Sequence, residues 1–121
     1  PAGSNLSLQP SPPALTSGAN TIPALAGTIA APTTMPSDRW GFCVPNTHAQ
    51  NVANGFTTSC TVSPLFAAVP TAPTIIKNVD TLPTTPDQQN TPIHFGVRTT
   101  ATSAPGTYTS LVTITAAINT P

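Results

Sequence analysis

Charged residues are the clearest shortage in this chain. Its 121 residues include three Lys or Arg and three Asp, Glu is absent, and the formal net charge is zero. Without a basic patch there is little to neutralise phosphates, so nucleic acid is not an expected partner. A cytosolic monomer usually keeps about a quarter of its residues charged. The shortage therefore favours a secreted protein, or a subunit whose surface is covered by its neighbours.

Long apolar runs and helix-favouring stretches are also missing. No run of about 18 apolar residues occurs, so no membrane span is expected in this segment. Sixteen prolines, together with Ser and Thr at roughly a quarter of all positions, disfavour helices, because Pro breaks a helix and Thr is stiff at χ1. With helices disfavoured, two kinds of structure fit this composition, a β domain with many turns or a disordered stalk. The periodic apolar runs favour the β domain.

Cysteine is limited to Cys43 and Cys60, and no CxxC pattern is present. A metal site would need further ligands, and His48 and His94 are the only histidines. We therefore predict a Cys43–Cys60 disulfide, no metal and no cofactor, with two separate buried thiols as the alternative. A disulfide that closes a loop of this size contributes about 3 kcal/mol and implies an oxidising, extracytoplasmic compartment.

Alternation of apolar and polar residues predicts strands, most clearly in the closing run 108–118, where Thr alternates with apolar residues. Residues 38–44 and 92–99 alternate in the same way, and shorter strands are expected at 5–8, 21–30, 61–63 and 74–77. We therefore predict an all-β fold, an immunoglobulin-like two-sheet β-sandwich of about seven strands over residues 14–121. An extended Pro-rich segment, residues 1–13, precedes it. The expected core residues are Trp40, Phe42, Phe95, Val97, Tyr108, Val112 and Ile114.

Two local patterns suggest further contacts. Pro-Gly-Thr-Tyr at residues 105–108 is typical of the corner at which a Tyr of an immunoglobulin-like sandwich hydrogen-bonds back across the sheets. Asp38 and Arg39 beside Trp40 predict a structural ion pair or a cation–π contact.

The amide-rich loop between the cysteines, residues 46–59, is the candidate binding site, because loops at the ends of sandwiches often bind ligands. Its candidate binding residues are Asn46, His48, Gln50, Asn51, Asn54 and Phe56. The alternative is a solvated loop closed by the disulfide.

The two histidines and three aspartates are residue types found in catalytic sites, but no nucleophile motif accompanies them. We therefore predict no enzymatic activity.

Three stretches together resemble one family of β domains. They are a Trp-Gly-Phe strand at residues 40–42 after the run 25–36, an apolar segment at 66–70 leading to 75–77, and His-Phe-Gly-Val-Arg at 94–98 followed by Ser-Ala-Pro-Gly-Thr-Tyr at 103–108. In this order they look like a domain of secreted surface proteins from ultrasmall host-associated bacteria of the Saccharibacteria type, and the resemblance covers most of residues 15–119. It implies a β-sandwich in an extracellular, cell-envelope or appendage role, with no established enzymatic activity. The two cysteines depart from the family pattern, so the disulfide is predicted from this sequence alone.

These features predict a structural subunit or module of an extracellular appendage, filament or coat, with other copies of the chain as its partners. Assembly would proceed by strand exchange, because an open sheet edge is a template for an added strand. Leu6 and Leu8 of the N-terminal segment, or residues 112–118, would supply the inserted apolar side chains. The alternative is an adhesin-like module that recognises host-cell glycan or protein through residues 46–59.

Overall fold

The computed structural model describes residues 4–79 and 85–118, and over these ranges the chain is an all-β protein. Six strands are present there, where about seven were predicted, together with one four-residue helical turn. Their bounds are β1 Ser4–Ser17, β2 Asn20–Ile22, β3 Arg39–Cys43, β4 Thr74–Val79, α1 Pro86–Gln89, β5 His94–Arg98 and β6 Thr109–Ile118. The strands pair antiparallel in two sheets. Over the described ranges no helix is long and apolar enough to cross a membrane.

The first sheet is organised around β1. Residues 4–8 of β1 lie between β4 on one side and β6 on the other. Residues 9–11 continue the pairing with β6, and residues 15–17 pair with β2. The sequence predicted only a short edge strand at 5–8, so both its length and its edge position were wrong. The register with β6 shifts between Ser11 and Thr16, next to Pro12 and Pro13, which have no N–H to donate to a ladder. This shift divides β1 into two parts.

The pairing of β1 with β4 contains a bulge. Leu6 lies opposite Lys77 and Ser7 lies opposite Ile75, so Ile76 has no partner residue on β1. An extra residue of this kind interrupts the alternation of side chains along the strand. Ile76 and Lys77 are therefore both buried although they are consecutive.

The second sheet pairs β3 with β5, with Trp40 opposite Val97 and Phe42 opposite Phe95. Irregular segments cover the other edge of β3: the backbones of Phe42 and Ala67 exchange two hydrogen bonds of 2.9 Å, which makes β3 a central strand. Gly41 is required in β3, because a Cβ there would lie 2.5 Å from the carbonyl oxygen of Ala67.

One core joins the two sheets. Its buried members are Ile22, Trp40, Phe42, Cys43, Val44, Ala49, Phe56, Cys60, Ala67, Val69 and Ile76. Tyr108 and Val112 are partly buried against this cluster. Phe95, Val97 and Ile114 were predicted to be core residues, but 51%, 54% and 50% of their surfaces remain exposed.

The exposure of these three residues has a structural cause. Among the described residues β5 pairs only with β3 and β6 pairs only with β1, so the space between the sheets is open where these two strands border it. An apolar face is buried only when another element covers it.

Candidate functional site

The disulfide joins the end of β3 to the far end of the candidate binding loop. Cys43 and Cys60 are bonded, with 5.9 Å between their Cα atoms, which confirms the predicted disulfide. Both residues are buried in the core cluster. The disulfide therefore anchors residues 44–59 to the end of β3 and to the core.

The amide side chains of this loop are used to hold the loop together. Asn46 Nδ2 donates to the carbonyl of Phe56 at 3.0 Å, and Asn54 Nδ2 donates to the carbonyl of Val52 at 2.9 Å. The Phe56 ring is buried and packs edge-on against Phe42, with 5.6 Å between ring centroids. These candidate binding residues therefore satisfy backbone groups and fill the core.

The next part of the loop covers the outer edge of β4. Asn78 N donates to the carbonyl of Gln50 at 2.9 Å, and Asn51 Nδ2 donates to the carbonyl of Asn78 at 2.8 Å. Buried polar side-chain atoms normally have a hydrogen-bond partner. Within the described ranges Gln50 Oε1 is the buried side-chain atom that has none. The loop thus protects β4 from pairing with a further strand.

A polar cluster that the sequence did not predict lies beside the loop. Lys77 is 5% exposed, and its Nζ donates to the carbonyl of Asp87, to the carbonyl of Asn90 at 2.8 Å and to Thr91 Oγ1 at 2.9 Å. Burial lowers the pKa of the Lys77 amine below its ordinary value, and the nearby Asp87 carboxylate opposes that shift. All three ammonium hydrogens are engaged, so the group fastens residues 87–91 to β4.

His48 joins the same cluster. Its Nδ1 lies 2.8 Å from the carbonyl oxygen of Asn90, and because a carbonyl only accepts, Nδ1 carries the hydrogen. Its Nε2 lies 3.4 Å from Asp87 Oδ1. His48, like the asparagines of the candidate binding loop, thus uses its side-chain nitrogens for contacts within the protein. The sequence signal for this cluster was a lysine directly after two isoleucines in the strand 74–79.

An apolar groove opens between the two sheets and is called here the open groove. It has a volume of about 310 Å³, and its lining residues are Leu15, Trp40, Phe95, Gly96, Val97, Ser110 and Val112. None of these residues is charged. The groove therefore fits an apolar group and has no feature that would orient a charged one.

The loop before β6 is fixed by side-chain hydrogen bonds. Tyr108 Oη donates to the carbonyl of Ala104 at 2.7 Å. The bond runs backward along the chain, as predicted, but it stays within the loop and does not cross between the sheets. Ser103 Oγ donates to Asp38 Oδ1 at 2.6 Å. Arg39 donates at 2.8 Å to the backbone carbonyl of Asp38. This hydrogen bond is not the ion pair that was one of the two contacts predicted here, and the other, a cation–π contact with Trp40, stays a prediction.

Leu6 and Leu8 lie in β1, and His94 lies in β5. The backbone register puts Leu6 opposite Ala116 and Leu8 opposite Ile114, in the part of β1 that lies between two strands. His94 begins β5 and lies opposite Cys43. Among the described residues no group of three or more His, Cys, Asp or Glu could hold a metal ion.

Comparison of the chain with protein-family models, with curated proteins and with solved structures gave no match.

Proposed function

We propose that this chain is a structural subunit of an extracellular surface appendage, filament or coat, and that copies assemble by exchanging the N-terminal strand. The observation that carries the proposal is the position of residues 4–8, which lie between β4 and β6 and pair with both. A strand in that position completes a sheet. If a neighbouring copy supplied it, the same pairs would form between two chains.

The register shift of β1 provides the hinge for such an exchange. Residues 15–17 form a hairpin with β2 through Gly18, whose φ of 59° suits this tight turn. Residues 4–11 lie beyond the shift, and they could leave the sheet without opening that hairpin. The proposed boundary between the extended segment 1–13 and the domain 14–121 falls within the shifted region.

The composition and the disulfide support the same setting. A surface with so few charges is better suited to contact with identical neighbours than to a free cytosolic monomer, and a buried disulfide is typical of oxidising compartments. Secretion and a cell-surface location are therefore part of the proposal. It includes membership of the Saccharibacteria-type surface-domain family, and it assigns neither an enzymatic activity nor a cofactor.

We also propose that the fold is an immunoglobulin-like β-sandwich of about seven strands. Two antiparallel sheets around one core support this description. The hydrogen bond from Tyr108 to Ala104 supports it as well, since a corner tyrosine of such sandwiches bonds to the backbone a few residues upstream.

Light scattering of the purified chain over a range of concentrations tests the proposal. We expect multimers, and we expect an excess of a synthetic peptide of residues 1–13 to reduce their mass because the peptide occupies the place of the exchanged strand. A peptide with Leu6→Ser and Leu8→Ser is the matched control and should have less effect. A chain that stays strictly monomeric at high concentration would contradict the proposal.

The alternative, an adhesin-like module that binds host-cell glycan or protein through residues 46–59, has less support. Its candidate residues Asn46, Asn51 and Asn54 donate to backbone carbonyls of the protein itself. A glycan array compared between the chain and a variant with a scrambled loop separates the two functions. Specific binding that the scrambled loop abolishes would favour the adhesin.

A further inference from the structure

No strand of the described ranges pairs with the outer edge of β6. Among the described residues β6 pairs with β1 alone, and its ten residues extend about 34 Å. Proteins often protect such an edge with charged side chains or proline, and Thr109–Ile118 contains neither. An unprotected edge of this length is a template for another strand.

The open groove lies beside this edge. Val112 of β6 lines it together with Phe95 and Val97 of β5, and both of these β5 residues are half exposed. Ile114, two residues after Val112, is also half exposed. A strand added to β6 would therefore extend the first sheet over an apolar surface of the second.

The lack of charged residues in β6 and in the open groove favours β6 of a second copy as the added strand. The groove lining and β6 hold no charged residue, so a charged partner would lose hydration there without a counter-ion. An identical copy of β6 is apolar and β-branched on one face and carries no like charges that would repel across a two-fold axis. A second copy of the chain thus fits both the edge and the groove.

We propose that β6 pairs antiparallel with β6 of a second copy about a two-fold axis perpendicular to the first sheet. Residues that lie opposite each other in such a pair project to the same face. Val112 and Ile114 of each copy would therefore lie on the face that borders Phe95 and Val97 of the other. This pairing joins the two first sheets into one and narrows both open grooves.

This interface goes beyond the exchange of β1, since it uses a different strand and a different edge. Either contact can form without the other. A subunit with both would have two separate surfaces for assembly, whereas failure of one leaves the other intact.

Sedimentation equilibrium of the full chain, between about 1 μM and 1 mM, tests the β6 pairing. Leu111→Lys places a charge on the open edge strand, at a side chain that is 67% exposed. We expect it to weaken the dimer at least about tenfold. Val62→Lys is the matched control, because Val62 is 71% exposed and lies outside both sheets; it should leave the dimer unchanged.

Hydrogen exchange provides a second measurement that needs no variant. We expect the amides of residues 109–118 to exchange more slowly as the concentration of the unmodified chain rises. The peptide of residues 1–13 takes the place of β1 beside β6 and blocks the exchange of β1. Protection that still depends on the chain concentration in a saturating excess of the peptide therefore belongs to β6 pairing. Exchange at 109–118 that is independent of concentration, or a dimer that withstands Leu111→Lys, would overturn the inference.

Discussion

The disulfide offers the prediction whose magnitude follows most directly from the structure. Cys43 and Cys60 are 17 positions apart, and in the chain-entropy model a cross-link that closes a loop of this length stabilises the fold by about 3 kcal/mol. For a domain of this size that free energy corresponds to a fall in Tm of about 12 °C when the cross-link is removed. We expect the Cys43→Ala/Cys60→Ala variant to show at least this loss.

Two samples separate the cross-link from the packing around it. The reduced protein keeps both sulfur atoms in the core and loses only the loop closure, whereas the double variant also loses their buried volume. Calorimetry or circular dichroism, with the oxidised chain as reference, measures both falls in Tm. If the Tm of the reduced protein falls by less than about 4 °C, the reasoning is refuted. Such a small fall would mean that residues 46–59 keep their hydrogen bonds in the unfolded ensemble, so that the disulfide removes little entropy there.

Three further substitutions test the packing and the polar cluster by urea denaturation. Burial lowers the pKa of Lys77 in the folded state below its ordinary 10.5, so between the folded and the ordinary pKa the unfolded chain binds more protons and the free energy of unfolding should rise with pH. Lys77→Met should remove that rise. An equal dependence of the unfolding free energy on pH in both proteins would contradict the buried placement of the amine. Tyr108→Phe removes the hydrogen bond to Ala104 and should cost about 1 kcal/mol, while no loss would mean that the corner contributes nothing. Gly41→Ala would place a Cβ 2.5 Å from the Ala67 carbonyl oxygen and should cost about 2 kcal/mol or more; a neutral effect would show that β3 and residues 66–67 separate easily.

The correct predictions rest on the alternation of apolar and polar residues along the strands and on the exclusion of a metal site for the two cysteines. The strands β3, β5 and β6 lie in runs where apolar and polar residues alternate, and the disulfide followed from the lack of other ligands for Cys43 and Cys60. The length of β1 was underestimated because Pro12 and Pro13 normally end a strand, whereas here the ladder resumes after a shift of register.

Burial and side-chain partners were harder to predict for a physical reason. The alternation of Phe95 and Val97 marks one face of β5, but burial depends on whether another element covers that face, and residues 93–99 contain no information about it. An asparagine such as Asn51 can equally face a ligand or satisfy a nearby carbonyl, and the choice is made by a strand 27 positions away.

The central claim, that β1 passes between copies, has a direct covalent test. Ser7 and Thr115 lie opposite each other in the β1–β6 pair, so a Ser7→Cys/Thr115→Cys variant records under mild oxidation whether the two strands belong to one chain. Arg39 and Arg98, opposite each other in β3 and β5, provide the control pair Arg39→Cys/Arg98→Cys, which should link only within a chain. On a non-reducing gel the proposal predicts a ladder of linked multimers for the first variant and monomers for the second. Monomers alone for both variants would contradict it.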